Sequence, residues 1–401
     1  MNIIFLTLDR FLNINDREIS EDLMRKFKKE GHEVYVVVPR ERKYNLPTRL
    51  EEQGGVHILG VKTLNIQKTN IIEKGIGTLL IERQYICAIK HHLKGVTFDL
   101  ILYTTPPITF SGVVDYLKRH NPEAVSYLLL KDIFPQNAVD IGMFGEKSLF
   151  NRYFRRKEIK LYRQSNYIGC MSPANVEFLL AHNDFVNKEN VEVAPNSIEL
   201  AEQRVLTQEQ RDGIKRKYNL PLDKPVFIYG GNLGKPQGID FLIQCLDANK
   251  NRDDCHFLIV GSGTEYPSIK EWFEREQPYS VSVYERLPKS DYDLLVQCCD
   301  VGLIFLDHRF TIPNYPSRLL SYLEYKMPVL CATDPNTDIG RIAENNGYGY
   351  WCESNSIEAF TSILDKMIHS DRMLMGEKGY AFLKDNYLVQ NTYNAIIKHF
   401  E

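Results

Sequence analysis

Short apolar runs alternate with longer amphipathic segments from the first residue onward. Residues 2–6 and 34–38 are apolar runs of strand length, and in the segment 18–30 between them the apolar residues recur at helical spacing. The same alternation continues to Cys170. Strands that are apolar on both faces and alternate with helices are typical of a mostly parallel sheet. The first half of the chain therefore predicts a doubly wound, Rossmann-like α/β domain.

A second alternation of the same kind starts at Val226. A polar segment separates the two alternating regions and ends in Leu-Pro-Leu-Asp-Lys-Pro. Prolines in such a polar segment are typical of a connection between domains. We predict an N-terminal domain over 1–198, an interdomain connection over 199–224 and a C-terminal domain over 225–384. A last helix over 385–401 could pack back on the N-terminal domain. Two such sheets that face each other would border a cleft at the carboxyl ends of their strands, where open α/β folds bind ligands.

Composition narrows the function classes. The chain has 401 residues and a formal net charge of −3, so it lacks the basic excess of nucleic-acid-binding proteins, and we predict no nucleic-acid partner. No stretch approaches the roughly 18 apolar residues of a membrane span, and residues 1–16 lack the basic start of a secretory signal. We therefore predict a cytoplasmic protein. The eight cysteines include no C-x-x-C pair and no zinc-ligand spacing.

One acidic motif could suggest a metal site. Asp291-Tyr292-Asp293 is a literal D-x-D sequence. Ser290 in front of it indicates instead the start of a helix, with Ser290 as the N-cap and the acids complementing the helix dipole. We therefore predict no metal at these residues.

The loop over 229–239 is the strongest candidate for a ligand site. It reads Tyr-Gly-Gly-Asn-Leu-Gly-Lys-Pro-Gln-Gly-Ile and joins a predicted strand to a predicted helix. Glycines let a backbone approach a ligand closely, the helix start offers free N–H groups to an anion, and Lys235 adds a positive charge. The loop matches neither G-x-G-x-x-G nor G-x-x-x-x-G-K-[ST]. An anion-binding loop and an ordinary glycine-rich turn both remain open.

A second cationic position lies later in the same half. Pro316 and Ser317 can start a helix whose first turn presents Arg318, a forked donor suited to phosphate oxygens. An isolated arginine is more often a solvated surface charge. Together with the glycine loop, however, Arg318 predicts a site for a diphosphate.

In the first half, Lys131 and Asp132 directly follow a buried strand over 124–130. A carboxylate at this point could orient or deprotonate a hydroxyl of a sugar. Asp132 could equally cap the turn that follows. Both interpretations remain open.

The segment Lys147–Arg163 contains seven basic residues and one acidic residue. Apolar residues interleave with them at roughly helical spacing, as in helices that lie on anionic lipid. Alternatively, the apolar stripe belongs to the core and the charges form a solvated face. The first interpretation predicts peripheral contact with the inner face of the cytoplasmic membrane.

Taken in order, several short motifs make the chain resemble the GT-B glycosyltransferases of family 4, especially bacterial enzymes of capsular, O-antigen and exopolysaccharide assembly that transfer fucosamine or N-acetylhexosamine. The resemblance spans almost the whole length. It rests on Lys-Glu-Gly-His-Glu-Val at 29–34, Lys-Asp-Ile-Phe-Pro-Gln-Asn-Ala at 131–138, Met-Ser-Pro-Ala-Asn at 171–175, Ala-Pro-Asn-Ser at 194–197, the glycine loop, and the segment from Pro-Ser-Arg at 316–318 to Met-Pro-Val at 327–329.

This resemblance implies two Rossmann-like domains facing a cleft and transfer of a sugar with retained anomeric configuration, without a metal or other cofactor. A nucleotide diphosphate sugar would be the co-substrate, and the acceptor would be a saccharide or a saccharide linked to polyprenyl diphosphate. Catalytic roles would fall on Asp132, Lys235 and Arg318. The donor site would contain Gly231, Asn232, Lys235, Gln237, Gly261, Arg286, Leu287, Ser317, Arg318 and Ser321, and the acceptor site Asp9, Lys131, Asp132 and Asn196.

The sequence departs from the family pattern at several of these positions. In the family segment G-R-L-x-x-x-K-G the Arg and Lys positions are Asn232 and Gln237 here, so Lys235 has to supply the charge. The paired glutamates of the family fall on Pro313 and Ser321, and Arg318 stands where a subgroup has a phosphate-binding lysine. The family has a pair of glycines in its first loop, whereas the corresponding residues 8–15 of this sequence contain no glycine.

The favoured prediction is a retaining transferase that moves an N-acetylated or deoxy hexose from UDP to a hydroxyl of a growing surface polysaccharide. The alternatives are a UDP-sugar 2-epimerase, which needs no acceptor, and a non-catalytic GT-B subunit, which the missing glutamates favour. A sugar-binding protein of the periplasmic type would carry an export signal, and no such pattern is seen.

Overall fold

The structure is a computed structural model that describes residues 1–66, 71–200 and 206–400. It divides into two compact units. The first unit consists of Met1–Glu199 and Tyr387–Glu401, and the second of Leu200–Asn386.

The first unit is built on one sheet, which has eight strands in the described part of the chain, in the order β3-β4-β2-β1-β5-β6-β7-β8. All neighbours pair in parallel except β3, which is antiparallel to β4. The strands are β1 (Asn2–Leu6), β2 (Glu33–Glu41), β3 (Arg49–Gln53), β4 (Val56–Thr63), β5 (Leu100–Thr104), β6 (Val125–Leu130), β7 (Tyr167–Cys170) and β8 (Val191–Val193).

Helices connect these strands as the apolar periodicity predicts. They are α1 (Ile19–Lys29), α2 (Ile71–His92), α3 (Ser111–His120), α4 (Gln136–Asp140), α5 (Leu149–Gln164) and α6 (Pro173–Ala181). β1, β5 and β6 are buried almost throughout, which explains their continuous apolar sequence. Their side chains contribute to a core that also contains Leu23, Met24 and Phe27 of α1.

The second unit contains a parallel sheet with six strands among the described residues, in the order β11-β10-β9-β12-β13-β14. The strands are β9 (Val226–Asn232), β10 (His256–Ser262), β11 (Val281–Tyr284), β12 (Val301–Phe305), β13 (Val329–Thr333) and β14 (Gly349–Glu353). Its helices are α7 (Gln208–Lys217), α8 (Ile239–Ala248), α9 (Tyr266–Glu276), α10 (Lys289–Val296), α11 (Arg318–Glu324), α12 (Ile339–Asn345), α13 (Ile357–Ile368) and α14 (Arg372–Asn386).

The segment 199–224, predicted as a connection, contains α7, and the structure places that helix in the second unit. The Thr207 hydroxyl accepts from the backbone N–H of Gln210, and the Gln210 side-chain oxygen accepts from the backbone N–H of Thr207. The helix therefore starts with a capping box. The Nζ of Lys215 lies 3.7 Å from a carboxylate oxygen of Asp300, which fixes α7 to the unit. Residues 201–205 lie outside the described residues.

The chain ends in the first unit. The last helix, α15 (Val389–Ile397), packs against α1, and the ring nitrogen of His32 lies 3.0 Å from the Tyr393 hydroxyl. The carboxylate of Glu192 in β8 contacts Lys398 and His399, which follow α15. These contacts place the C-terminal helix on the N-terminal unit. Among the described residues, no helix is long and apolar enough to cross a membrane.

Candidate active site

The glycine loop lies where the winding of the second sheet reverses. β9 pairs with β10 on one side and with β12 on the other, so the loops after β9 and β12 leave the sheet at a topological switch point. Gly231, the second-last residue of β9, has a φ of +122°, a backbone conformation that L side chains rarely adopt. A glycine is therefore required at this position.

Gly261 has a packing role beside the loop. It stands opposite Gly231 in the pairing of β10 with β9. A Cβ atom on Gly261 would lie 2.0 Å from the Gly231 carbonyl oxygen. The structure therefore explains this glycine by the close approach of two strand ends, and its contact with a donor stays a prediction.

Arg318, the first residue of α11, reaches back to the glycine loop. Its guanidinium carbon lies 4.2 Å from the centre of the Tyr229 ring, and its Nη2 donates to Gln237 Oε1 at 2.7 Å. Its Nη1 is buried and has no hydrogen-bond partner in the described part of the chain. No described acidic side chain forms an ion pair with Arg318. A half-buried cation with an unused donor and no counter-charge is suited to binding an anionic ligand.

The structure therefore brings Gly231, Gln237 and Arg318 together. Lys235 lies in the same loop, in the 3-10 turn Lys235–Gln237, with an exposed side chain that pairs with no described residue. Asn232 is exposed at the end of β9. Gln237, predicted as a direct donor contact, is engaged by Arg318 in this structure.

The remaining predicted donor residues are not joined to this cluster by any described hydrogen bond. Ser317 is exposed, and Ser321 lies one turn after Arg318 on α11. Arg286 and Leu287 follow β11, the edge strand two positions away from β9. Their donor role stays a prediction.

Three tyrosines surround the site and were not predicted from the sequence. The Tyr322 hydroxyl accepts from the Gly230 N–H at 3.1 Å and donates to the Ile228 carbonyl at 3.2 Å. The Tyr292 hydroxyl fills the space above Gly230, where a Cβ atom would lie 1.8 Å from it. The Tyr229 hydroxyl donates to the Asn232 carbonyl at 2.7 Å.

These tyrosines stay neutral near pH 7, because burial raises the pKa of Tyr292 to about 12 and raises those of Tyr229 and Tyr322 as well. They add no negative charge next to Arg318. The helical spacing of Tyr322, four residues after Arg318, is a signal that could have suggested this cluster.

The D-x-D sequence is tied into the protein. Asp291 accepts from Lys217 Nζ at 2.7 Å and from the Tyr218 hydroxyl at 2.8 Å. The prediction that Ser290 is the N-cap was wrong, because α10 begins at Lys289 with Pro288 as its N-cap residue. Asp291 does lie in the first turn, where its charge complements the helix dipole. The described residues contain no group of three or more His, Cys, Asp or Glu suited to a metal ion.

In the first unit, three predicted acceptor residues come together at the carboxyl ends of β1, β6 and β8. Lys131 and Asn196 line one pocket with Ser20. Asp9 accepts from the Ser20 hydroxyl at 2.6 Å, and one of its oxygens lies 3.9 Å from Lys131 Nζ. The Asn196 Oδ1 atom is buried without a hydrogen-bond partner in the described residues. The structure thus places Asp9, Lys131 and Asn196 close together at this edge of the sheet.

Asp132 directly follows Lys131, which lines this pocket. Its backbone N–H and carbonyl both bond the Thr105 hydroxyl, at 3.2 and 3.1 Å. Asp132 does not cap α4, whose N-cap residue is Pro135 and which has no side-chain cap. Burial raises the pKa of Asp132 to about 6, and the charge of Lys131 opposes this shift. The group can therefore change its protonation state near neutral pH.

Comparison with known proteins identifies a domain in the second unit. Residues 210–382 match the family described as Glycosyl transferases group 1. The chain is a GT-B glycosyltransferase with a group 1 domain. The matched residues lie within the second unit of this glycosyltransferase and include the glycine loop and Arg318.

Three similar proteins extend this comparison. Over 326 residues the glycosyltransferase is 23% identical to "Probable glycosyltransferase WbjE" of Pseudomonas aeruginosa, covering 80% of this chain and 78% of that protein. Over 183 residues it is 24% identical to "Putative colanic acid biosynthesis glycosyl transferase WcaI" of Escherichia coli, covering 44% of each chain. The structure of HepE from Anabaena in complex with UDP-glucose superposes with a TM-score of 0.69 at 12% identity, covering 100% of this chain and 99% of that one.

Proposed function

We propose that this glycosyltransferase moves a hexosyl group, N-acetylated or deoxy, from UDP to a hydroxyl of a lipid-linked precursor of a surface polysaccharide. The second unit binds the nucleotide sugar and the first unit binds the acceptor. Transfer retains the anomeric configuration and uses no metal ion, as in family 4, which the sequence resembles. Arg318 carries this proposal.

The guanidinium of Arg318 supports a diphosphate ligand for a specific electrostatic reason. It is held by Tyr229 and Gln237, neither of which carries a charge that would neutralise it. A cation that is partly removed from water is less favourable without a partner anion, and binding of a phosphate supplies the missing counter-charge. The free Nη1 donor can bond a phosphate oxygen without breaking an existing bond.

The same group can accelerate the reaction. As the bond between the sugar and the diphosphate breaks, negative charge grows on the diphosphate that leaves. Arg318, together with Lys235, stabilises that charge where it develops, which lowers the barrier without any metal. Arg318 is already held in place before the reaction, so little reorganisation is needed.

Asp132 is the residue that we assign to the acceptor. Its carboxylate, ionised above pH 6, accepts a hydrogen bond from the attacking hydroxyl and orients it. Lys131 and Asn196 bind polar groups of the acceptor in the neighbouring pocket.

The comparisons support the choice of ligands. HepE, whose fold is similar, was solved with UDP-glucose, and WcaI is named for colanic acid biosynthesis. These names favour UDP among the nucleotides and a polysaccharide among the acceptors.

Thermal denaturation with UDP, GDP, CDP and ADP, each with excess EDTA, tests the donor assignment. A ligand that binds only the folded protein raises its melting temperature, so we expect UDP to stabilise the protein most. No stabilisation by any of these nucleotides would overturn the proposal. A shift that disappears with EDTA would overturn its metal-independent part.

Product analysis with UDP-N-acetylglucosamine separates transfer from the alternatives. A transferase releases UDP faster when a polyprenyl-diphosphate-linked saccharide is added. A 2-epimerase changes the sugar without an acceptor and releases no UDP. A non-catalytic subunit gives neither product, although it can still bind UDP.

A further inference from the structure

Helices α2 and α5 run parallel to α3 on its two sides in the first unit. Glu82 of α2 accepts from the Gly112 N–H at the start of α3, and Lys90 of α2 lies over the ring of Tyr116, one turn further along α3. Lys157 of α5 donates to Glu82 at 2.9 Å, which places it at the same level. Further along, Gln164 of α5 accepts from Lys118 of α3 at 2.9 Å. All three helices therefore point in the same direction.

The N-terminal parts of α2 and α5 consequently extend beyond the start of α3, at the same end of the unit. With a rise of about 1.5 Å per residue, residues 76–80 and 149–153 begin roughly one to two turns before the Glu82–Lys157 ion pair. The short turn Ile108–Phe110 contacts both helices at this level. The two helix starts thus flank one surface, which we call the helix-start face.

Large apolar side chains are exposed on both parts of the helix-start face. From α2 they are Ile76, Leu79 and Leu80. From α5 and the loop before it they are Met143, Leu149, Phe150 and Tyr153, of which Leu149 is 78% and Phe150 68% exposed. Several exposed apolar side chains of this size at one end of the unit are typical of an interaction surface.

Basic residues divide into two sets that differ in their partners. Lys157, Lys160 and Arg155 lie on the inner side of α5, where they pair with Glu82, Asp115 and Glu158. The outer set is exposed and forms no ion pair or hydrogen bond with any described residue; it consists of Arg83, Lys147, Arg152 and Arg156. Their charges are therefore available to an external anion.

We propose that the helix-start face binds an anionic lipid bilayer. Leu149 and Phe150 insert at the boundary between head groups and acyl chains, and the unpaired cations contact the lipid phosphates. Apolar side chains next to free cations match a bilayer that offers both an apolar interior and a negative surface. Within the segment Lys147–Arg163, Lys147, Arg152 and Arg156 are thus assigned to the lipid. Arg155, Lys157 and Lys160 form ion pairs within the protein.

The position of this face also suits the proposed reaction, and this link rests on the proposed function. Helices that follow parallel strands begin at the carboxyl edge of the sheet. Lys131 and Asp132 stand at the same edge, directly after β6. A lipid-linked acceptor held in the bilayer would therefore meet the edge of the sheet that carries its assigned residues.

Co-sedimentation of the full chain with vesicles tests the proposal. One set contains phosphatidylcholine alone and the other about one-third phosphatidylglycerol, because the cations should add affinity only to the second. Two variants remove the features in question. They are the double variant Leu149→Glu/Phe150→Glu and the triple variant Lys147→Glu/Arg152→Glu/Arg156→Glu.

Matched controls carry the same changes elsewhere. Met373 and Leu374 on α14 are exposed apolar residues, and Lys29, Lys94 and Arg119 lie at the opposite, C-terminal ends of α1, α2 and α3. The controls are Met373→Glu/Leu374→Glu and Lys29→Glu/Lys94→Glu/Arg119→Glu. UDP-induced thermal stabilisation, measured without vesicles, shows whether each variant is folded and keeps the donor site.

We expect the wild type and both controls to sediment with anionic vesicles, and each helix-start variant to lose binding at least about tenfold. UDP stabilisation should be the same for all five proteins, so a failure here is separable from a failure of the donor assignment. Equal binding to both vesicle types, or wild-type binding by either variant, would overturn the proposal. A wild-type dimer that Leu149→Glu/Phe150→Glu dissociates, without vesicle binding, would assign the face to a second copy and overturn it too.

Discussion

The guanidinium carbon of Arg318 lies 4.2 Å from the centre of the Tyr229 ring. The aromatic face attracts the cation without neutralising it, because the ring has no net charge. Tyr229 also holds the glycine loop through its bond to the Asn232 carbonyl. One tyrosine thus positions both the loop and the cation, and the contact explains how Arg318 is held half-buried without a counter-charge.

The backbone at Gly231 gives a first prediction. Gly231→Ala places a side chain at a φ of +122°, and this strain should lower the free energy of unfolding of the second unit by about 1 to 3 kcal/mol. UDP affinity should fall as well, because relief of the strain displaces the loop. Urea unfolding and UDP titration measure the two effects.

Gly213→Ala is the matched control for this change. Gly213 lies inside α7 with an ordinary φ, and a Cβ atom added to it would have nothing within 4 Å. Alanine should stabilise this helix by about 0.5 to 1 kcal/mol and leave UDP affinity unchanged. Equal effects of the two substitutions would show that Gly231 is not conformationally required.

Asp132 predicts a pH dependence of the transfer rate. Burial raises its pKa to about 6, so the carboxyl is protonated below this pH and ionised above it. If the ionised form orients the acceptor hydroxyl, kcat/KM rises with pH through about 6 and is level above it. Asp132→Asn should lower kcat/KM and remove this rise.

Asp184→Asn serves as the control, because Asp184 is an exposed aspartate of the same unit. It should keep both the rate and the pH profile of the wild type. An unchanged acidic limb in Asp132→Asn would assign the titration to another group and remove Asp132 from the acceptor site.

Glu21 predicts a pH dependence of stability. Burial in α1 raises its pKa to about 8, with Glu18 and Asp9 adding to the shift. Between pH 4.5 and 8 the unfolded chain ionises this carboxyl while the folded protein keeps it protonated. The unfolded state therefore binds fewer protons, and stability falls as pH rises, by at most about 1.4 kcal/mol per pH unit.

Glu21→Gln removes this titration, so its melting temperature should fall less than that of the wild type between about pH 5 and 8. The exposed Glu177 provides the control Glu177→Gln, which should follow the wild type. Parallel melting curves for all three proteins across this range would contradict the buried, neutral state of Glu21.

Much of the fold could be predicted from the sequence because buried parallel strands are continuously apolar. The second alternation, predicted to start at Val226, begins there with β9 and continues through α8, β10 and α9. The antiparallel edge strand β3 could not be recognised, because Arg-Leu-Glu-Glu-Gln is mostly polar and lies at the edge of the sheet. α2 also escaped detection, since its apolar residues lie on more than one face and part of them is exposed.

The candidate site was predictable only where its parts are local in sequence. The glycine loop carries its own signal, because Gly231 stands in a strand-to-helix turn. The bond between Arg318 and Gln237 joins residues 81 positions apart, and the bond between Tyr322 and Gly230 spans 92 positions. Such pairings arise from the sheet order, which brings the loop after β9 next to the helix after β12, and no spacing in the sequence encodes them.

The most direct test of the account is calorimetric titration of UDP into the wild type, Arg318→Ala and Arg341→Ala, with EDTA throughout. Arg341 also lies over an aromatic ring, that of Trp351 at 5.2 Å, but on another helix of the second unit, which makes it the matched control. A charge-assisted hydrogen bond contributes about 1.5 to 3 kcal/mol, so Arg318→Ala should weaken UDP binding by roughly ten- to hundredfold while Arg341→Ala binds as the wild type does. Equal UDP affinity of folded Arg318→Ala and the wild type would contradict the account.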